Sequence, residues 1–364
     1  MGPLRGVRII EMEGLGPTPF CGMLLADLGA DVIRVDRPSN AARMDPTLDL
    51  FGRGKRSIVL DIKQAADAAT LWRLIDRADA LCEGLRPGVM ERNGFGPDAC
   101  FVRRPSLVYG RMTGFGQDGP LAPRAGHDIN YLSLSGALGA IGPAEKPVIP
   151  LNLVADFGGG ALYLALGMLS ALLHVRAGGS GQVVDAAMVD GAASLTTFFY
   201  SMRAMGQWQD ERESNLLDGG ADFYNVYETK DGQWISVGAI EPQFYAQLMQ
   251  GLELEPHSDY LDRAQWAARR LIVAQRFKEK TRAQWNAIFA GTDACYTPVL
   301  TMTDAALHPH NAARHTFVQA FGYTQPNVAP RLSVTPGALA RPPPAAGADT
   351  AEILAELDAQ ASNV

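Results

Sequence analysis

The chain has 364 residues, 47% hydrophobic and 20% charged, which is room for one large or two ordinary domains with full cores. Its formal charge of −7 argues against nucleic acid or an anionic membrane as a main partner, although arginines can still cluster locally for an anionic ligand. Cys21, Cys82, Cys100 and Cys295 are scattered, with no C-x-x-C pair. They read as reduced thiols rather than a disulfide framework. The start, Met1-Gly-Pro-Leu-Arg-Gly, has no apolar signal core, and Ala361-Ser-Asn-Val364 is not a peroxisomal address, so the expected compartment is the cytoplasm.

In chain order, 7–12 reads as a strand, 14–19 as a Gly/Pro loop, 23–28 as a helix capped by Gly29, and 31–36 as a second strand. Strands at 57–62, 80–83 and 107–112, with a helix at 65–78, continue an alternation that predicts a parallel sheet flanked by helices. Residues 157–175 carry no formal charge and are long enough to suggest a membrane span. The stretch stands alone and holds glycines, Tyr163, Ser170 and His174, so a helix buried on all sides by a core is expected. A strand at 182–186 and a helix to about 205 follow. Then Asp231-Gly232 between two alternating runs, 223–228 and 233–237, predicts a hairpin. Helices fill roughly 242–290, 296–300 extends, the chain turns proline-rich from Pro326, and a short helix covers 350–359. The division expected from this is a large domain at 1–200, completed by 315–364, and a small one at 215–312.

The first βαβ unit imitates a dinucleotide fingerprint with Gly14-x-Gly16 and an acid, Asp36, closing the next strand. Pro19 occupies the third glycine position, and Pro17 and Pro19 remove two N–H groups that a pyrophosphate would need. Arg34 and Arg37 beside Asp36 would suit a phosphate better than a ribose diol. We reject a nicotinamide cofactor on these grounds. His308, His310 and His315 lack an acid or cysteine pattern to complete a metal site, and no metal is expected.

Two residues in glycine-rich frames carry the chemistry: His127, within Gly126–Tyr131, and Asp156, before Gly158-Gly159-Gly160. An imidazole and a carboxylate can each take or give a proton near neutral pH. Facing one carbon, one can remove its proton while the other returns a proton to the opposite face, which inverts a stereocentre. The bland alternatives are a hydrogen-bonded histidine and an aspartate capping the 157–175 helix. On the functional reading, Gly158–Gly160 let a substrate approach backbone N–H groups that could receive an enolate oxygen. A helix N-terminus would lower the Asp156 pKa, whereas proton return needs it raised by burial or by Glu241 or Asp128. Asn152 could bond the ligand or the loop. Met188 and Met202 are candidates for an acyl surface by type alone, with core packing as the plainer fate.

Seven segments in order, 25–38, 83–89, 111–117, 125–131, 152–160, 181–187 and 237–245, resemble the family III CoA-transferase superfamily, closest to its 2-methylacyl-CoA racemase branch. The resemblance implies an α/β fold with a large Rossmann-like domain and a small α+β domain, in an interlocked homodimer whose active site lies between subunits. It implies an acyl-CoA substrate, with CoA as part of the substrate and no further cofactor. Residue by residue, Arg37, Leu60, Asp61, Ile62, Lys63, Gly84, Leu85, Arg86 and Arg92 match positions that hold CoA. Gly126, Asp128, Ile129, Asn130 and Tyr131 match the rest of the ligand-binding motif around His127. His127 and Asp156 match the proton-transfer pair, and Glu241 matches a residue that pairs with the histidine from the partner subunit. Transferase members use the matching aspartate as a nucleophile and lack the histidine. The resemblance therefore favours interconversion of (2R)- and (2S)-2-methylacyl-CoA thioesters through an enolate over CoA transfer. No membrane span and no nucleic-acid partner are expected.

Overall fold

The computed structural model describes residues 2–38 and 45–361. Met1 and residues 362–364, read above for targeting signals, lie outside the described residues. The elements are β1 (Arg8–Met12), α1 (Pro17–Asp27), β2 (Asp31–Asp36), β3 (Arg56–Val59), α2 (Ala65–Ile75), β4 (Ala80–Glu83), α3 (Val89–Arg92), α4 (Pro97–Arg103), β5 (Val108–Thr113), α5 (Asp128–Leu134), α6 (Leu162–Arg176), β6 (Gln182–Ala187), α7 (Met188–Leu195) and α8 (Thr197–Ala204). They continue with β7 (Tyr224–Glu228), β8 (Trp234–Gly238), α9 (Pro242–Gly251), α10 (Arg263–Phe277), α11 (Arg282–Phe289), β9 (Tyr296–Pro298), α12 (Met302–Leu307), α13 (Pro309–Ala313), β10 (Phe317–Ala320), β11 (Tyr323–Pro326) and α14 (Thr350–Ala361).

The residues group into two compact units: residues 1–135, 151–195 and 318–364, and residues 136–150 with 196–317. Residues 136–150 thus cluster with the smaller unit, where the sequence division had put them in the larger.

In the first unit six strands form one sheet in the order β3-β2-β1-β4-β5-β6, every pair parallel. β1 to β5 are buried on both faces, which accounts for their apolar runs, whereas the edge strand β6 is largely exposed over Gln182–Asp185. Ile10, Ile33, Ile58 and Leu81 pack with Leu71 and Leu74 of α2. The C-terminal segment returns to this sheet because α14 buries Ile353 and Leu357 to 1% exposure against it, roughly 1.5–3 kcal/mol of hydrophobic stabilisation each. Ion pairs from Arg56 to Glu352 and Glu356 orient the helix.

The second unit pairs β7 with β8 antiparallel, Glu228 opposite Trp234, as the Asp-Gly turn predicts, and β9 adds to β8. Its core is aromatic: Phe223, Tyr245, Trp266, Phe277 and Trp285 are all buried. Thr281 and Gln284 cap α11 reciprocally.

Three expectations are corrected. The loop at 14–19 ends early, because Pro17 opens α1, where a missing N–H costs nothing. The helix expected at 157–175 begins instead as a nine-residue π-helical stretch, Leu153–Ala161, which closes with the Leu162 N–H bonding back to the Phe157 carbonyl. Leu153–Arg176 is long and apolar enough to cross a membrane by length and composition, yet it is not buried on all sides. One face of α6 packs on β5, β6 and α1, while Leu162, Leu166 and Leu173 remain exposed.

Candidate active site

The strand order reverses direction between β1 and β4, the place where open parallel sheets bind ligands beyond their strand ends. A cleft of about 470 Å³ opens there. Its wall takes Leu15–Thr18 after β1, Gly84–Pro87 after β4, and Met112–Phe115 from the end of β5. Arg124, Gly126, His127, Tyr131, Asp156 and Met188 complete the face.

Each wall segment has a local cause. Glu83 closes β4, and its carboxylate accepts the Leu85 N–H at 2.6 Å and the Arg111 Nε–H at 3.0 Å, which fixes the Gly84-Leu85-Arg86 loop. Thr113 Oγ1 accepts the Gly116 N–H at 2.9 Å and shapes the turn after β5. Tyr131 lies edge-on to Phe115 with centroids 4.9 Å apart, and its hydroxyl donates to the Gly126 carbonyl. Burial, then the charges of Asp156 and Asp128, push that hydroxyl up to about 12, so it stays protonated. Gly114 permits this packing, since a Cβ there would lie 2.0 Å from the tyrosine ring.

His127 is the N-cap residue of α5, extended at φ −133° and ψ 174°, and its N–H donates to Asn130 Oδ1 at 3.0 Å. Its side chain stays exposed. Asp156 sits inside the π-helical stretch, not before a helix. The N–H groups of Ala155 and Asp156 are both taken by Asp128 Oδ2, at 2.9 and 2.8 Å. Asn152 Nδ2 donates to Asp156 Oδ2 at 3.1 Å, and Gly16 passes so close that a Cβ there would lie 3.6 Å from the same oxygen. Phe157 is pinned by Phe20 and Phe51, with centroids at 4.9 and 5.7 Å.

The conflict over the Asp156 pKa resolves upward. Burial is the main cause and the Asp128 charge adds to it, while the Asn152 hydrogen bond and His127 oppose it. The carboxyl is thereby brought nearer to the range where it can both hold and release a proton.

The glycine expectation is corrected. Gly159 and Gly160 are buried in helix packing: a Cβ on Gly159 would meet the Ala192 N at 2.5 Å, and one on Gly191 would meet the Gly159 O at 1.8 Å. These glycines bring the π-helical stretch against α7 and do not line the cleft.

Of the sequence candidates, His127, Asp156, Gly84, Leu85, Arg86, Gly126, Tyr131 and Met188 meet in the cleft. Arg37 follows β2, exposed, with its guanidinium on Glu13. Leu60, buried, and Asp61, Ile62 and Lys63 follow β3, where the Asp61 N–H bonds Asp67 at the start of α2. Because β2, β3 and β4 are parallel, these segments share one rim with Gly84–Arg86. Arg92 ends α3, its guanidinium folded back over Gly88. Ile129 and Asn130 are exposed on α5, whereas Asp128 is buried at 5% exposure and is not on the cleft wall. Glu241 opens α9 in the second unit, its carbonyl accepting from Phe244 and Tyr245, and Met202 belongs to that unit as well. Asp36, the acid of the dinucleotide imitation, is buried and occupied by Ser57 and Arg34. Thr18 and Arg124 were missed; Thr18 lies in the first turn of α1 after β1, and Arg124 in the long connection after β5.

The model of the family described as CoA-transferase family III matches residues 4–350. The chain belongs to that family. It is 47% identical to alpha-methylacyl-CoA racemase of Mus musculus over 97% of this chain and 93% of the relative. It is 31% identical to the succinyl-CoA–L-malate CoA-transferase beta subunit of Chloroflexus aurantiacus over 98% and 94%. A CAIB/BAIF family protein from Brucella suis superposes with a TM-score of 0.83 at 25% identity, covering 98% of this chain and all of that one. The family membership accounts for the mixed α/β architecture with its parallel six-stranded sheet.

Proposed function

We propose that this protein is an isomerase that interconverts (2R)- and (2S)-2-methylacyl-CoA thioesters. The carrying observation is the pair His127 and Asp156 on one cleft wall, the acid raised by burial and bonded to a neutral amide rather than to a cation. One residue takes the α-proton, charge moves onto the thioester oxygen, and the other returns a proton to the opposite face. The substrate class follows the racemase relative, at 47% identity against 31% for the transferase. Transfer with Asp156 as nucleophile is the weaker reading, because the transferase relative is less similar and because His127 shares the cleft, where a nucleophilic aspartate alone would not require it.

The ends of β2, β3 and β4 offer Arg37, Leu60–Lys63 and Gly84–Arg86 along one rim, a length suited to an extended CoA whose thioester reaches the cleft. CoA serves as part of the substrate and no other cofactor is invoked. A second copy of the chain would cover the exposed leucines of α6 and bring Glu241 to His127, as an interlocked homodimer requires. Cys21, Cys82 and Cys100, buried and unbridged, suit a reducing compartment such as the cytoplasm.

The test is α-proton exchange. Each epimer of a 2-methylacyl-CoA is incubated in deuterium oxide and followed by NMR, with His127→Ala and Asp156→Ala alongside. Deuterium entry with epimerisation, cut about 10²–10⁴-fold in either variant, is expected. Wild-type protein that binds CoA yet exchanges no α-proton, and instead forms a hydroxylamine-sensitive adduct on Asp156, would overturn the proposal.

A further inference from the structure

We propose that the carboxylate of Asp128 is a positioning group that fixes Asp156 relative to His127. The inference rests on the racemase reading of the same cleft. Asp128 is the first residue of α5 and follows His127 directly, so its backbone and the catalytic imidazole belong to one rigid turn. Its side chain points away from the cleft: the residue is 5% exposed, while Gly126, His127 and Tyr131 around it line the wall.

One oxygen of that carboxylate, Oδ2, accepts two consecutive backbone N–H groups, those of Ala155 and of Asp156 itself, at 2.9 and 2.8 Å. Both lie in the opening turn of the π-helical stretch. A π-helix bonds each N–H five residues back, so its first N–H groups have no partner of their own within it. Asp128 supplies the acceptor. It bridges 28 residues of sequence with a charge-assisted bond to the peptide that carries the catalytic carboxyl. The two proton-transfer residues are therefore joined through a single buried side chain.

The other oxygen, Oδ1, is buried and has no hydrogen-bond partner among the described residues. Both hydrogen bonds of the carboxylate run toward the Asp156 peptide. Proton transfer to and from a carbon is sensitive to displacement of the base by about an ångström, with losses of about 10²-fold. A clamp of this kind acts on that tolerance.

The experiment compares wild type with Asp128→Ala and Asp128→Asn in two readouts. The first is backbone amide exchange of the peptide spanning 153–161. The second is steady-state racemisation of a 2-methylacyl-CoA, with circular dichroism confirming the fold. Asp128→Ala should speed amide exchange in that peptide by about tenfold or more and lower kcat about 10²-fold with KM nearly unchanged. Asp128→Asn keeps an acceptor oxygen and should fall between the two in both readouts; it also carries the test if the alanine variant does not fold. Wild-type protection at 153–161 in both variants would overturn the clamp. So would a KM raised about tenfold with kcat kept, which is the signature of a lost ligand contact. If wild type itself exchanges no α-proton, the racemase reading falls, and the amide protection alone decides whether Asp128 holds Asp156.

Discussion

The buried acids of β1, α1 and β4 and the acids that open α5 and the π-helical stretch are held in different company. Glu11 is fully buried and takes both of its bonds from Lys55 Nζ, at 2.8 and 2.7 Å, while the same ammonium also reaches the Pro19 carbonyl. Asp27 is paired with Arg53 and Glu83 with Arg111. Among the described residues, Asp128 and Asp156 bond only to backbone N–H groups and to the Asn152 amide. Burial pushes Glu11, Asp27, Glu83 and Asp156 upward alike, so the direction of a pKa shift does not separate a structural acid from the acid proposed to transfer a proton. The partner does. A fixed cation locks the charge, whereas a neutral donor leaves the proton free to come and go.

The largest test of this contrast is Lys55→Met. It strands Glu11 in the interior and should cost about 3–5 kcal/mol in urea denaturation, while adding Glu11→Leu should recover most of it. A loss below about 1 kcal/mol would mean that the pair is not what holds the acid, and the contrast would collapse.

Asp222 sharpens it from the second unit. It is 1% exposed, neither oxygen has a side-chain partner among the described residues, and burial raises it to about 6 against the pull of its own backbone N–H and the charges of Arg269, His257 and Arg270. With its folded pKa raised, its contribution is most favourable below the ordinary carboxylate range and is lost as pH rises through about 6. Asp222→Asn should therefore flatten that loss and raise stability at mildly alkaline pH by up to about 3 kcal/mol, read as the denaturation midpoint against pH. An unchanged pH dependence would show that water or a cation already serves the group.

The smallest effect belongs to Asn152→Ala. Its amide lowers the Asp156 pKa, so removing it raises that pKa and moves the rising limb of exchange, for the epimer that Asp156 deprotonates, to higher pH. On the acid side of that limb this should slow that epimer about threefold and leave the profile of the other epimer in place. A shift of both limbs together would point to general loosening of the site.

Much of this architecture was legible in the residues. Strands β1 to β5 announced themselves because both faces are buried, which turns the chain into short apolar runs between turns. The hairpin was readable because Asp231-Gly232 admits little else. The start of the Asp156 helix was not, because the choice of a π turn over an α turn is made by contacts distant in sequence: the Gly159–Gly191 packing and the reach of Asp128. For the same reason the glycines before α6 suggested open backbone, whereas their missing side chains serve α7. Thr18 and Arg124 carry no local signal, and only the order of the strands brings them to the cleft.

Of the four cysteines, Cys21, Cys82 and Cys100 are buried, and burial holds all three thiols well above their ordinary range. Cys295 is exposed in the second unit, raised by burial first and then by the charge of Glu241. A maleimide dye therefore finds one address on the folded chain. The Cys295 thiol is held up by burial and then by the charges of Glu241 and Asp293, so Glu241→Gln should speed attachment of the dye.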